Sequence, residues 1–207
     1  MPHTPSVYTP AAFSVDAAEI PAILSGIVAA DLVTMTEDGL LATYLPVLFD
    51  GPRFVSHMAR NNEQWRQRVL GDALLIAHGP EAYISPTWYA ATQEHGRVVP
   101  TYNYLTVHVY GTIEVHEDPA WLADAVDRLT SRHESGRDPA WSSADAPSAF
   151  IDGQLRAIVG LEFQIARVEV KRKMSQNRPE ADVPGIVAGL TADGEVAVAA
   201  MVLEHGK

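Results

Sequence analysis

Cysteine is absent from the 207 residues, which excludes a disulfide framework and any thiolate metal site. Cations are scarce: 15 Lys and Arg stand against 26 Asp and Glu, a formal net charge of −11. Non-specific affinity for nucleic acid comes from phosphate neutralisation, so this balance predicts repulsion from DNA over most of the surface. Long apolar runs are missing as well. The run Val196–Leu203 is far short of the roughly 18–20 residues that span a bilayer. No basic stretch followed by an apolar one is readable as a secretory signal. The expectations are no membrane association and a cytoplasmic location. There is no G-x-S-x-G elbow, G-x-G-x-x-G turn or Walker loop, and no internal repeat or low-complexity tract. A hydrophobic fraction of 47% and a charged fraction of 20% are those of an ordinary globular chain. The length suits one domain spanning 1–207.

The patterns that are present read mainly as β-structure. Asp16 and Glu19 have capping-box spacing, and Ile20, Ile23, Leu24 and Ile27 recur at helical intervals, so a short helix is expected with Pro21 in its first turn. "VAADLVTM" and "LLATYLPVLF" form a hairpin through Glu37-Asp38-Gly39, with the glycine at positive φ. Asp50-Gly51-Pro52 turns the chain into "RFVSH", residues 62–69 read as helix, and "ALLIAHG" and "EAYIS" read as two strands parted by Gly79-Pro80. The segment "YNYLTVHVYGTIEVHED" alternates with period two. It places Asn103, Leu105, Val107, Val109, Gly111, Ile113 and Val115 on one face. Asp118 and Pro119 then open a helix as N-cap and first residue, a Ser/Pro/Asp-rich loop covers 136–148, and a helix over 148–158 precedes the strand "LEFQIARVEV". Two short helices end the chain, forming a helical extension from about residue 179. The expected class is α+β, mainly antiparallel β: a small barrel with peripheral helices.

Four stretches break the rule that polar residues face outward. In "SHMARNNEQW" (56–65), a strand ending in His57 passes Arg60, Asn61 and Asn62 into a helix. Free N–H groups and a forked guanidinium suit an anion there; the plain alternative is that Asn62 only caps the helix. "YISPTWY" (83–89) offers rings to a flat ligand or to packing. "VPTYNYLTVH" (99–108) offers a polar strand entry or merely cross-strand aromatics. "KRKMSQNRPEAD" (171–182) gathers cations in an acidic chain, and three explanations compete: a solvated run, a nucleic-acid contact, or a pocket for one small anion. Lys171, Lys173 and Ser175 share a side if the strand continues that far, while Arg178 is expected to face solvent. A single phosphate matches two lysines, a serine and amides, whereas a nucleic acid needs a wider basic surface. His108 and His116 lie eight residues apart on one strand face, too far to share a metal ion at about 3.3 Å per residue. No metal site is expected.

Taken in order, "YTPAAF", "ATYLPVLFD", "SHMARNNEQW", "YISPTWY", "VPTYNYLTVHVYG", "AIVGLEF" and "KRKMSQNR" resemble the PaiB family, described as FMN-binding negative transcriptional regulators. The sequence departs from the family pattern at Ser56, Glu63, Tyr102 and Val170. The resemblance implies an FMN-binding split β-barrel, related to pyridoxamine-phosphate oxidases, that works as a homodimer with FMN at the dimer interface. It gives Arg60 and Asn61 phosphate roles, lays Thr43, Leu45 and Pro46 beside the isoalloxazine edge, and brings Lys173, Ser175 and Gln176 to the cofactor. His57, Ser85 and Asn103, from the same stretches, complete the expected cofactor-binding set. Two other activities fit such a barrel: a flavin-dependent oxidoreductase using NAD(P)H and a small acceptor, and a haem-binding protein ligated through a histidine such as His57. No catalytic acid or base stands out. No helix-turn-helix with a basic recognition helix is readable, so direct DNA binding is not expected.

Overall fold

The structure, a computed structural model, describes residues 6–206. Two compact units form. One, the barrel unit, is built from Pro21–Ala77 and His108–Val168; the other combines the segment up to Ile20 with His78–Val107 and the chain from Glu169 onward.

In the barrel unit, α1 (Ile20–Gly26) leads into β1 (Ala29–Thr36), β2 (Gly39–Asp50) and β3 (Arg53–Ala59). The strands β4 (Ala73–Ile84), β5 (Thr101–His116) and β6 (Ile158–Lys173) complete a closed barrel in the order β1-β2-β3-β6-β5-β4, and all three continue into the other unit. The β1–β2 hairpin pairs Thr36 with Gly39, whose φ of 117° is a conformation that side chains with a Cβ rarely adopt. Alternation then fills the interior with Leu32, Leu45, Val47, Phe54, Leu75, Leu161 and Phe163, all buried. On β5, Asn103, Val107, Val109 and Gly111 are buried, as the period predicts.

The helix α3 (Pro119–Glu134) begins where expected: Asp118 Oδ1 accepts from the Trp121 N–H at 2.9 Å. Leu122, Ala125 and Leu129 bury its apolar side. Arg128 and Arg53 both bind the Asp50 carboxylate, at 2.9 and 3.0 Å, and Arg53 also reaches Glu162 at 2.8 Å. This network ties α3 to the β2–β3 turn. The helix α4 (Ser148–Arg156) follows the long loop.

Two expectations are corrected here. Residues 62–69 do not form an extended helix; only a single 3-10 turn, Glu63–Arg66, appears. Its Gln64 side chain turns inward to donate to Leu32 O at 3.1 Å and Thr34 Oγ1 at 3.0 Å, which a surface helix would not allow. Nor does Gly79-Pro80 interrupt a strand, since β4 runs through it. The register of β4 with β1 covers only Leu74 to Ile76, so Pro80 lies beyond that ladder, where a missing donor is tolerated.

In the second unit, α2 (Ala90–Glu94), α5 (Val183–Ala192) and α6 (Val196–His205) surround Ile84, Tyr89, Met174, Ile186, Leu190 and Val202. A Cβ at Gly189 would lie 2.3 Å from the Trp88 ring, so only glycine lets that indole seat on α5. Of the rings of "YISPTWY", Trp88 and Tyr89 are therefore packing residues, whereas Tyr83 is exposed. Arg172 forks onto Glu19 at 2.7 and 3.1 Å. Among the described residues, no helix is long and apolar enough to cross a membrane.

Candidate functional site

Because Phe54, Ser56 and Met58 turn into the barrel, the alternation of β3 sends His57 to the outer face, towards α3 and α4. There it lines a cavity of about 270 Å³ with Ala123, Val126, Trp141, Ile151 and Leu155. The lining is mostly apolar. His57 Nδ1 is buried without a hydrogen-bond partner among the described residues, and burial pushes the imidazole pKa below its ordinary value. The ring is therefore neutral at neutral pH.

Three residues on, Arg60 leaves the β3 ladder. Its backbone N–H donates to Ala157 O at 2.8 Å, its Nε donates to Arg156 O at 2.9 Å, and its Nη1 pairs with Glu117. It lines a second cavity, of about 210 Å³, with Glu117, Pro119, Leu122, Asp152, Leu155 and Arg156 at the start of α3. Leu155 walls both cavities. Two guanidinium-bearing residues and a helix N-terminus favour an anion here, against the carboxylates of Glu117 and Asp152. Asn61 is exposed beside it.

The other expected residues lie in three places. Thr43 Oγ1 donates to Gln64 Oε1 at 2.5 Å and accepts from Asn62 Nδ2 at 2.9 Å. Leu45 is 3% exposed inside the barrel, while the carbonyl of Pro46 accepts from Ser56 Oγ at 2.7 Å. In the second unit, Ser85 caps the turn Pro86–Trp88. Asn103, fully buried, donates to Ser175 Oγ at 2.9 Å, and Gln176 bonds its own segment, accepting from Met174 N and donating to Arg172 O, both at 2.6 Å. Lys173 donates to Thr101 Oγ1 and to Tyr102 O.

The alternation expected over 171–175 stops early: β6 ends at Lys173, and Ser175 takes φ 64°. Arg178 does not simply face solvent; its guanidinium stacks 4.2 Å from the Tyr89 ring centroid. Arg156, Glu117 and Leu155 escaped the sequence reading, because helical periodicity places them on elements without showing which cavity they wall. Glu114, His116 and Glu162 each offer a ligand atom within 4.8 Å of the others, but Arg53 already occupies the Glu162 carboxylate.

The donor set suits FMN: guanidinium groups for a phosphate, and an adjoining apolar cavity with one unpartnered imidazole for a flat ring. Residues 7–167 match the family described as "Putative FMN-binding domain". The chain is 32% identical over 164 residues to "Protease synthase and sporulation protein PAI 2" of Bacillus subtilis, covering 76% of each. Its fold is similar to that of a FAD and heme binding protein from Mycobacterium smegmatis, at TM-score 0.56 and 17% identity, over 85% of this chain and 79% of that one. The flavocytochrome Anf3 from Azotobacter vinelandii also matches at TM-score 0.56, with 16% identity over 76% of this chain and 67% of the other. At such identities the two structures speak for the fold, a flavin-type split barrel. The chain belongs to the PaiB family of FMN-binding domains, and FMN is its cofactor.

Proposed function

We propose that FMN is held on the barrel unit, with its phosphate at Arg60, Arg156 and Asn61 and its ring in the cavity bordered by His57. The observation that carries this reading is the shared Leu155 wall, which makes the charged and the apolar cavity neighbours. Flavin, when bound, supplies the redox chemistry. The residues supply the rest: Arg60 and Arg156 neutralise the phosphate, and the apolar walls exclude water. His57, kept neutral by burial, offers one hydrogen-bonding nitrogen without adding charge. For Arg60→Ala, fluorescence titration should show FMN binding weakened by about 1.5–3 kcal/mol, the magnitude of a charge-assisted hydrogen bond. Riboflavin, which lacks the phosphate, should bind wild type and variant alike. Equal losses for both ligands would make Arg60 structural.

The same reading makes the protein a homodimer with a regulatory role of the kind attributed to PaiB proteins. Support for the dimer comes from the outer face of the β1–β2 hairpin, where Met35 pairs with Leu40 and Val33 with Ala42. Leu40 is 66% and Tyr44 71% exposed there, an apolar stripe of the kind that marks interfaces. Regulation acts through a protein or ligand contact and not through DNA, given the net charge of −11. A salt-sensitive gel shift on one specific promoter would count against that. The neutral His57, whose Nδ1 is buried without a partner among the described residues, favours a second reading, an oxidoreductase that hydrogen-bonds a small acceptor there. Anaerobic flavin reduction by NADPH separates the two, and the visible spectrum of the purified protein distinguishes flavin from haem.

A further inference from the structure

The interior of the barrel is not filled at one end. Alternation turns Leu32 of β1, Met58 of β3, Ile113 of β5 and Leu161 of β6 inward, where they border a third cavity, of about 240 Å³. Its rim is the 3-10 turn Glu63–Arg66 and the segment after it, which contribute Trp65, Gln67 and Val69. An adjoining void shares Leu32, Ile113 and Leu161 as its wall. That void measures about 10 Å³, too little for any ligand, so these three side chains close the cavity off. No residue lining the His57 or the Arg60 cavity borders this one.

The polar groups around it are already engaged, with one exception. Gln64 donates from Nε2 to Leu32 O at 3.1 Å and to Thr34 Oγ1 at 3.0 Å, and its Oε1 accepts from Thr43 Oγ1. Trp65 Nε1 donates to Arg60 O at 3.0 Å, and the Arg66 guanidinium lies 4.5 Å from the Trp65 ring centroid. These contacts hold the rim in place before any ligand arrives. The half-buried Gln67 side chain makes no hydrogen bond among the described residues. No charged side chain lines the cavity or the void beside it.

Size, charge and bonding together select an occupant. A dry cavity of about 150 Å³ lined by aliphatic and aromatic side chains takes up benzene, so about 240 Å³ admits one ring or two fused ones. An ionised group would be buried there without counter-charge, which is costly. The indole of Trp65 and the thioether of Met58 both make favourable contacts with aromatic rings. We propose that the barrel interior is a binding site, separate from that for FMN, for a neutral aromatic molecule of one or two rings whose single polar group bonds to Gln67.

The test titrates indole, toluene and benzoate into the full chain by calorimetry, with and without saturating FMN. Toluene and indole should bind saturably, one per chain, with the same affinity whether or not FMN is present. Benzoate, the charged counterpart of toluene, should bind at least about tenfold more weakly, since its carboxylate finds no cation. Ile113→Trp fills the cavity and should weaken both neutral probes at least about tenfold while FMN binding stays unchanged. If that variant unfolds, Val69→Trp blocks the rim and carries the same expectation. Gln67→Leu should weaken indole about fivefold, the loss of one hydrogen bond, and leave toluene unaffected. The proposal is overturned if neither neutral probe binds saturably, or if benzoate binds as well as toluene. Unchanged affinity in the filled variant, or equal effects of Gln67→Leu on indole and toluene, overturns it too. So does indole affinity that falls as FMN is added, which would put the probe in the flavin cavity; failure of FMN itself to bind is read separately, from the FMN titration.

Discussion

Arg60 is poised between two partners. Its Nη1 is paired with Glu117, and under the proposed placement of FMN the phosphate takes that place. The pair is partly exposed, and such pairs contribute little, so releasing it opposes binding only weakly. Glu117→Gln should therefore tighten FMN binding by up to about fivefold, the equivalent of a surface ion pair, with riboflavin unaffected. A fluorescence titration in which both flavins shift together would show that Glu117 shapes the cavity and does not compete for Arg60. The stretch 56–62 was legible as a candidate site because its residue types suit an anion, and the structure sets Arg60 beside a cavity. Glu117 and Arg156 were not, because their meaning depends on how α3 and α4 dock. The conformation of "KRKMSQNR" was half legible: the charges were plain, but the turn at Ser175 depends on Asn103, seventy-two residues away in sequence.

The helix α3 covers the cavities, and its docking is electrostatic at the β2–β3 turn. The Arg128 hydrogen bond, followed by that of Arg53, holds the Asp50 carboxyl below its ordinary pKa against the opposing effect of burial. A carboxylate depressed in the folded state adds stability above its unfolded pKa and loses it as pH falls through the folded value. Wild-type melting temperature should thus drop more steeply than that of Asp50→Asn below about pH 4, the unfolded carboxylate range. Parallel profiles would mean the network does not hold α3. The start of α3 and the β1–β2 hairpin were readable because caps, turns and period-two alternation are local signals. The 3-10 turn at Glu63–Arg66 and the unbroken β4 were not. Inward bonding by Gln64 and the limited register with β1 overrode local propensity there.

At the scale of the whole molecule, the exposed apolar stripe of Met35, Leu40 and Tyr44 is the observation that supports the proposed homodimer. Light scattering should report twice the chain mass at micromolar concentration, and Leu40→Glu/Tyr44→Glu should halve it by burying like charges in the interface. A wild-type monomer would remove the dimer from the reading while leaving the cofactor site testable. That site is decided most directly by a crystal structure of the protein with FMN. The phosphate should lie within hydrogen-bond distance of the Arg60 guanidinium, with Glu117 displaced and the ring beside His57. Density placing the phosphate away from Arg60, with the Arg60–Glu117 pair intact and the His57 cavity empty, would contradict it.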